Sequence, residues 1–183
     1  MRRDCHKAVT TRSFADIRST IAAHFDADAA IAALLRFKKV MDAANVPFFL
    51  LFGTLLGAYR DKKFIEYDTD VDVGITPHQI SPLLTSIQGM KFALEELLVV
   101  RQDEALLSFE FQGLIYIDIY AFWPCETGYS SGSYKLTKEQ LNPIGTIEFL
   151  ETTFNCPSNP EVYLEQKYGP EWRTPTPNRH AGT

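Results

Sequence analysis

LLFGTLLGAYRDKKFIEYDTDVDVGI, residues 50–75, is the stretch whose reading decides the fold. It is entered through an apolar run, FFLLF at 48–52, short and continuous as a buried strand is. The run stops at Gly53-Thr54. Glycine lets the backbone turn sharply without a Cβ clash, and Thr54 is placed to cap a short helix over 55–60. A helix that begins directly behind a buried strand presents unpaired N–H groups at the strand's end, an arrangement suited to a phosphate. A plain strand-to-helix turn carries the same two residues, so Gly53 and Thr54 alone decide nothing. Asp61-Lys62-Lys63 then reads as a turn, 64–67 as a short extended piece, and 70–75 as a second strand. Strand side chains alternate, so Asp70 and Asp72 project from one face while Val71 and Val73 enter the core behind them. Asp68 shares that parity if extended backbone reaches back to it.

A matching acid stands further along. LIYIDIYAF, residues 114–122, alternates Ile115, Ile117 and Ile119 against Tyr116, Asp118 and Tyr120, so Asp118 is a single acid in the centre of a strand of β-formers. Acids two apart on a strand have Cα atoms roughly 6–7 Å apart. Their carboxylates can converge on one hard cation, and a neighbouring strand can supply a third. Mg²⁺ (or Mn²⁺) is the cation expected, since it takes oxygen ligands and is usually held by one or two carboxylates plus substrate phosphates. Several carboxylates on one face repel unless a cation neutralises them.

Acids on exposed surfaces are common, and a D-x-D pair by itself is more often a solvated strand face than a metal site. Here the opposite parity of both strands is filled with Val or Ile, and Asp118 lies between tyrosines. Asp70, Asp72 and Asp118 are therefore the expected catalytic and metal-binding acids, with Asp68 a further candidate ligand. Arg60, Lys62 and Lys63 each read singly as a solvated basic turn. As a group beside the acids they are candidates to meet phosphates or a leaving group. Glu66 and Tyr67 adjoin the cluster as support or packing.

Around this centre the pattern is that of an ordinary globular chain. Of 183 residues, 45% are hydrophobic and 22% charged, which excludes a disordered chain. A net charge of −5 argues against a nucleic-acid partner, which calls for a basic face. Three scattered cysteines and four scattered histidines form no zinc or disulfide pattern and read as reduced thiols in a cytosolic protein. There is no apolar run of membrane-spanning length, and the early positive charges have no hydrophobic region behind them, so no signal peptide is expected. Helices are expected over 13–25, capped by Ser13, and over 28–44, with another starting near Ser81-Pro82 and closed by Gly89. Strands are expected at 92–100 and 106–112, with a turn at Gln112-Gly113, and one more at 146–154. The Gly/Ser-rich 124–133 reads as a loop or hairpin tip. A helix over 159–168 is capped by Asn159 with Pro160 first and Gly169 last. The expected organisation is a flexible arm at 1–12, a single domain over 13–175 and a flexible tail at 176–183.

FGTLLGAYRDKKFIEYDTDVDVGI, the later YIDIY, and VYLEQKYGPEWRTP at 162–175 together resemble the LicD/fukutin family. The shared features are a Gly-Thr-x-x-Gly helix start, the Arg, Phe-Ile before the acids, D-x-D-x-D, a third-carboxylate strand and a C-terminal Tyr-Leu…Tyr-Gly…Trp…Pro series. The ordered series is far more specific than any one piece. The resemblance implies an α+β protein with a nucleotidyltransferase-type mixed β-sheet flanked by helices. It implies transfer of a phosphocholine or ribitol-phosphate type group from a CDP-linked donor (CDP-choline or CDP-ribitol) to a hydroxyl of a glycan or lipid-linked saccharide acceptor, releasing CMP. Gly53 and Thr54 match the turn that contacts donor phosphate. Asp70 and Asp72 match the metal-binding acids, and Asp118 the third acid, which also helps deprotonate the attacking hydroxyl. Relatives often carry Asp where this chain has Thr69 and Trp where it has Tyr67. The chain is also shorter than many relatives, which puts acceptor-binding insertions in question.

The expected protein is then a cytoplasmic transferase, drawn to a membrane surface only through its acceptor. Two alternatives remain open at this level: NMP transfer from an NTP to a small molecule, and a catalytically retired binding module of the same fold.

Overall fold

The computed structural model describes residues 25–87, 92–101, 104–112 and 114–175. The expected arm at 1–12, the helix over 13–25 except its last residue, and the tail at 176–183 lie outside them, as does Gly89.

The first described helix, α1 (Ala27–Ala43), is capped by Asp26, whose carboxylate accepts the Ala29 N–H at 2.9 Å. Its small and apolar side chains at Ala30, Ala33, Leu34, Phe37 and Met41 are fully buried, and it packs on two strands of the main sheet. The chain then enters β1 (Phe49–Leu50), α2 (Phe52–Leu56) and a π-helical turn over Gly57–Asp61. Strand β2 (Asp70–Ile75) follows, then a 3-10 turn over Pro77–Gln79 and α3 (Ile80–Ile87). Next come β3 (Phe92–Arg101), β4 (Glu104–Phe111) and β5 (Ile115–Ala121). A small second sheet is built from β6 (Trp123–Cys125), β7 (Gly128–Ser131) and β8 (Tyr134–Thr137). After α4 (Lys138–Leu141), a hairpin of β9 (Gly145–Phe149) and β10 (Thr152–Cys156) leads to α5 (Pro160–Tyr168).

The main sheet has seven strands in the order β3-β4-β5-β2-β1-β10-β9. It is mixed: β2 runs parallel to β5 and β1 parallel to β10, while the remaining neighbours are antiparallel. All six residues of β2 are buried, the acids included, so this is an interior strand covered on both sides.

Several boundaries differ from the sequence reading, each for a local reason. Helix α2 starts at Phe52 with Leu51 as its cap residue, so Thr54 lies inside the helix and caps nothing. The left-handed residue at this turn is Phe52, with φ of 43°, and not the glycine beside it. The helix expected near Ser81-Pro82 is present as α3, starting at Ile80, and a capping box on Thr76 and Gln79 adds a 3-10 turn ahead of it at Pro77. Of the two readings of 124–133, loop or hairpin tip, the hairpin holds: β6 pairs with β7 and β7 with β8. The single strand expected at 146–154 is two, joined through Leu150 and Glu151, both at positive φ. Neither is a residue type that signals such a turn.

Candidate active site

Parallel pairing of β2 with β5 sets Asp72 directly opposite Asp118, and Asp70 opposite Tyr116. One carboxylate oxygen from each of Asp70, Asp72 and Asp118 falls within 4.8 Å of the other two. The group is deep: Asp70 is 9% exposed, Asp72 7% and Asp118 0%. Three hard oxygen donors so close in so little solvent are the chemistry of a divalent-cation site. At an effective dielectric of about 20, each like-charged pair at this spacing costs on the order of 3–4 kcal/mol, which a cation would reverse. The donor set therefore fits Mg²⁺ or Mn²⁺.

The surrounding backbone fixes these acids. Leu51 donates its N–H to the Asp72 carbonyl at 3.2 Å, and the Asp72 N–H goes to Thr54 Oγ1 at 2.9 Å. Thr54 is wholly buried, so its hydroxyl serves the architecture of β2. Ser108 sits across from Asp118 on β4 and donates its hydroxyl to Asp118 Oδ1 at 2.5 Å. Sequence reasoning passed over Ser108. The available signal was a lone serine in the run LLSFEF, which lies next to the acid strand.

Asp68 stands outside the three-acid group, in the turn before β2. Its carboxylate lies against Gly53, where an added Cβ would come within 2.3 Å of Oδ2. Any larger residue at 53 would have to displace that carboxylate. Asp68 Oδ1 accepts the Thr69 N–H at 3.2 Å, while Oδ2 is buried without a hydrogen-bond partner. Burial pushes its pKa up to about 6.

The basic turn is engaged elsewhere. Arg60 forks onto both oxygens of Asp61, at 2.8 and 2.7 Å, and donates to the Trp172 carbonyl at 3.2 Å. Lys62 lies over the Tyr59 ring at 5.4 Å, and exposed Lys63 pairs with Glu66 at 2.9 Å. The cation brought toward the acids is Lys167 of α5, which the sequence reading did not single out. Its ammonium sits 4.8 Å from the Phe52 ring centre and 4.5 Å from that of Tyr134. Burial lowers its pKa and the charge of Asp72 opposes that shift. Tyr163, also on α5, accepts the N–H of the strained Phe52 at 3.3 Å. Tyr120, two residues beyond Asp118, has its pKa raised by burial and then by the charges of Asp72, Asp118 and Asp70. Beside these groups a cavity of about 330 Å³ opens, lined by Phe52, Phe122, Tyr134, Lys135, Gln166 and Lys167 among others.

A mixed sheet that gathers carboxylates from neighbouring parallel strands behind a strand–helix turn defines the nucleotidyltransferase fold. Solved structures agree. The antibiotic-resistance factor ANT(2'')-Ia superposes with a TM-score of 0.54 at 12% identity over 72% of this chain and 66% of that one. Its complex with adenylyl-2''-tobramycin gives 0.53 at 14% identity over 70% and 68%.

Residues 45–159 match the model of the family described as LicD/FKTN/FKRP, nucleotidyltransferase domain, and the chain belongs to that family. It is 30% identical over 146 residues to ribitol-5-phosphate transferase FKTN of Homo sapiens, covering 75% of this chain and 32% of that protein. To the human ribitol 5-phosphate transferase FKRP it is 27% identical over 148 residues, 72% of this chain and 29% of that protein. The chain thus spans about a third of the length of the curated relatives it matches. Among the described residues, no helix is long and apolar enough to cross a membrane.

Proposed function

We propose that this protein is a metal-dependent transferase moving a phospho-alcohol group, of the ribitol-phosphate or phosphocholine type, from a CDP-linked donor to a hydroxyl of a glycan or lipid-linked saccharide. The observation that carries the reading is the convergence of Asp70, Asp72 and Asp118 within 4.8 Å in a chain of this family. In the reaction the acceptor oxygen bonds to the phosphorus that carries the alcohol, the bond from that phosphorus to CMP breaks, and the acceptor proton is lost to a base. Asp70, Asp72 and Asp118 would hold Mg²⁺ or Mn²⁺, which when bound neutralises the phosphate charge that builds up as the bond to CMP breaks.

The chain's own residues supply position and proton transfer. Ser108 fixes the rotation of Asp118 through the Oδ1 bond, and Asp118 takes the acceptor proton. Thr54 and Leu51 hold the Asp72 backbone, so the carboxylates keep their spacing without reorganising during turnover. Lys167 adds positive charge on the side of Asp72. Gly53 gives Asp68 the room it occupies beside the turn.

The test is CMP release from CDP-choline, CDP-ribitol and CDP-glycerol with a glycan acceptor, in Mg²⁺ or Mn²⁺. CMP release that Asp72→Asn abolishes supports the reading. Pyrophosphate release from CTP or ATP in place of CMP replaces it with nucleotidyl transfer, and no turnover of any of these substrates removes it.

A further inference from the structure

Three rings from three elements pack on one another beside the Lys167 ammonium. Phe52 of α2 meets Tyr120 of β5 edge-on at 4.9 Å between centroids and Tyr134 of β8 at 4.7 Å. Tyr120 and Tyr134 close the third side, edge-on at 5.7 Å. Aromatic faces grouped in this way are how proteins hold quaternary ammonium ligands. Here the chain has placed its own cation against two of the rings, Phe52 and Tyr134, at 4.8 and 4.5 Å. The cavity beside them is lined by Phe52 and Tyr134 and by a second lysine, Lys135. A ligand with a fixed positive charge would meet two ammonium groups there and find the favourable ring faces taken. A ligand with a phosphate would meet complementary charge.

We infer that Lys167 determines which alcohol the pocket takes: its ammonium covers the Phe52 and Tyr134 ring faces, so the cavity accepts the phosphate ester of an uncharged polyol and excludes one ending in a quaternary ammonium. The inference rests on the transferase reading for the presence of a phosphate ester, but the exclusion itself is a property of the two covered ring faces. It is therefore tested with probes that need no turnover.

The experiment is saturation-transfer NMR of tetramethylammonium chloride with the full chain, without nucleotide or metal, alongside a titration of inorganic phosphate. Wild type should show no transfer to tetramethylammonium and measurable phosphate binding. Lys167→Ala and Lys167→Ser uncover the Phe52 and Tyr134 faces, and each folded variant should bind tetramethylammonium at least about tenfold more tightly than wild type. Phosphate affinity should fall about tenfold in both. Adding Tyr134→Ala to either should abolish the new affinity, and Lys167→Arg should keep the exclusion. Tetramethylammonium binding to wild type as tight as to the opened variants overturns the inference. So does its absence from a folded opened variant, or a phosphate affinity that ignores Lys167. Because tetramethylammonium carries no phosphate or nucleotide, a chain that released no CMP could still pass this test. A chain that released CMP could equally fail it.

Discussion

Asp72→Asn removes one charge from the three-acid group while keeping the size of the side chain, and its effect on stability can be worked from the geometry. Asp72 takes part in two of the three carboxylate pairs, with Asp70 and with Asp118, all within 4.8 Å. Each pair costs on the order of 3–4 kcal/mol at an effective dielectric of about 20. Side-chain relaxation and residual solvent reduce the net relief to roughly 1–3 kcal/mol. In a chain of this size each kcal/mol moves the melting temperature by about 2–4 °C, so the variant should melt about 2–12 °C above wild type in chelator. Mg²⁺ or Mn²⁺ should raise the wild-type melting temperature and leave that of the variant nearly unchanged. Scanning fluorimetry of both proteins in EDTA, then across a titration of each cation, measures all of this. A wild type that melts at or above the variant in EDTA would refute the reasoning, as would a cation shift that survives the substitution.

Other substitutions probe the supports of the site. Ser108→Ala deletes the donor to Asp118 Oδ1 and should cost about 10- to 100-fold in cation affinity or turnover, read by cation titration of CMP release, together with about 1–3 kcal/mol of stability for the stranded carboxylate oxygen. Tyr163→Phe strands the buried N–H of Phe52 and should cost about 1–3 kcal/mol in urea unfolding. Asp68, raised from 3.8 to about 6 by burial, binds a proton in the folded protein that the unfolded chain has already released. Its contribution therefore makes stability fall as pH rises from about 4 to about 6, by at most about 3 kcal/mol. Asp68→Asn should remove that part of the slope when unfolding in chelator is followed across the same range.

The acids were legible because their evidence is local and periodic. A period of two, with Val or Ile filling the other parity, places Asp70, Asp72 and Asp118 on strand faces before any coordinates are seen. The pairing of those strands followed from the family likeness, and the structure supplied the register that sets Asp72 against Asp118. The partners of the basic turn were not legible in the sequence. Arg60 has a carboxylate as its next neighbour and a carbonyl at Trp172 waiting for its third donor. Lys167 was hidden as well. A lysine late in a polar helix looks like solvated surface, and only the packing of α5 on α2 turns it inward. Phe52 and the Leu150-Glu151 turn were equally unreadable, since their left-handed backbones are imposed by surrounding contacts against residue preference.

The clasp between Arg60 and the Trp172 carbonyl reaches from the front of the family-matched segment to well past its end. The family match stops at 159, yet α5 and the Trp172 turn lie beyond it. A shortened protein trimmed to the matched boundary would keep every acid and lose Tyr163, Lys167 and the buried indole. Such a fragment should sediment as an aggregate or fail to bind phosphate, even with its carboxylates intact. Anyone dissecting this protein should carry the cut past residue 175.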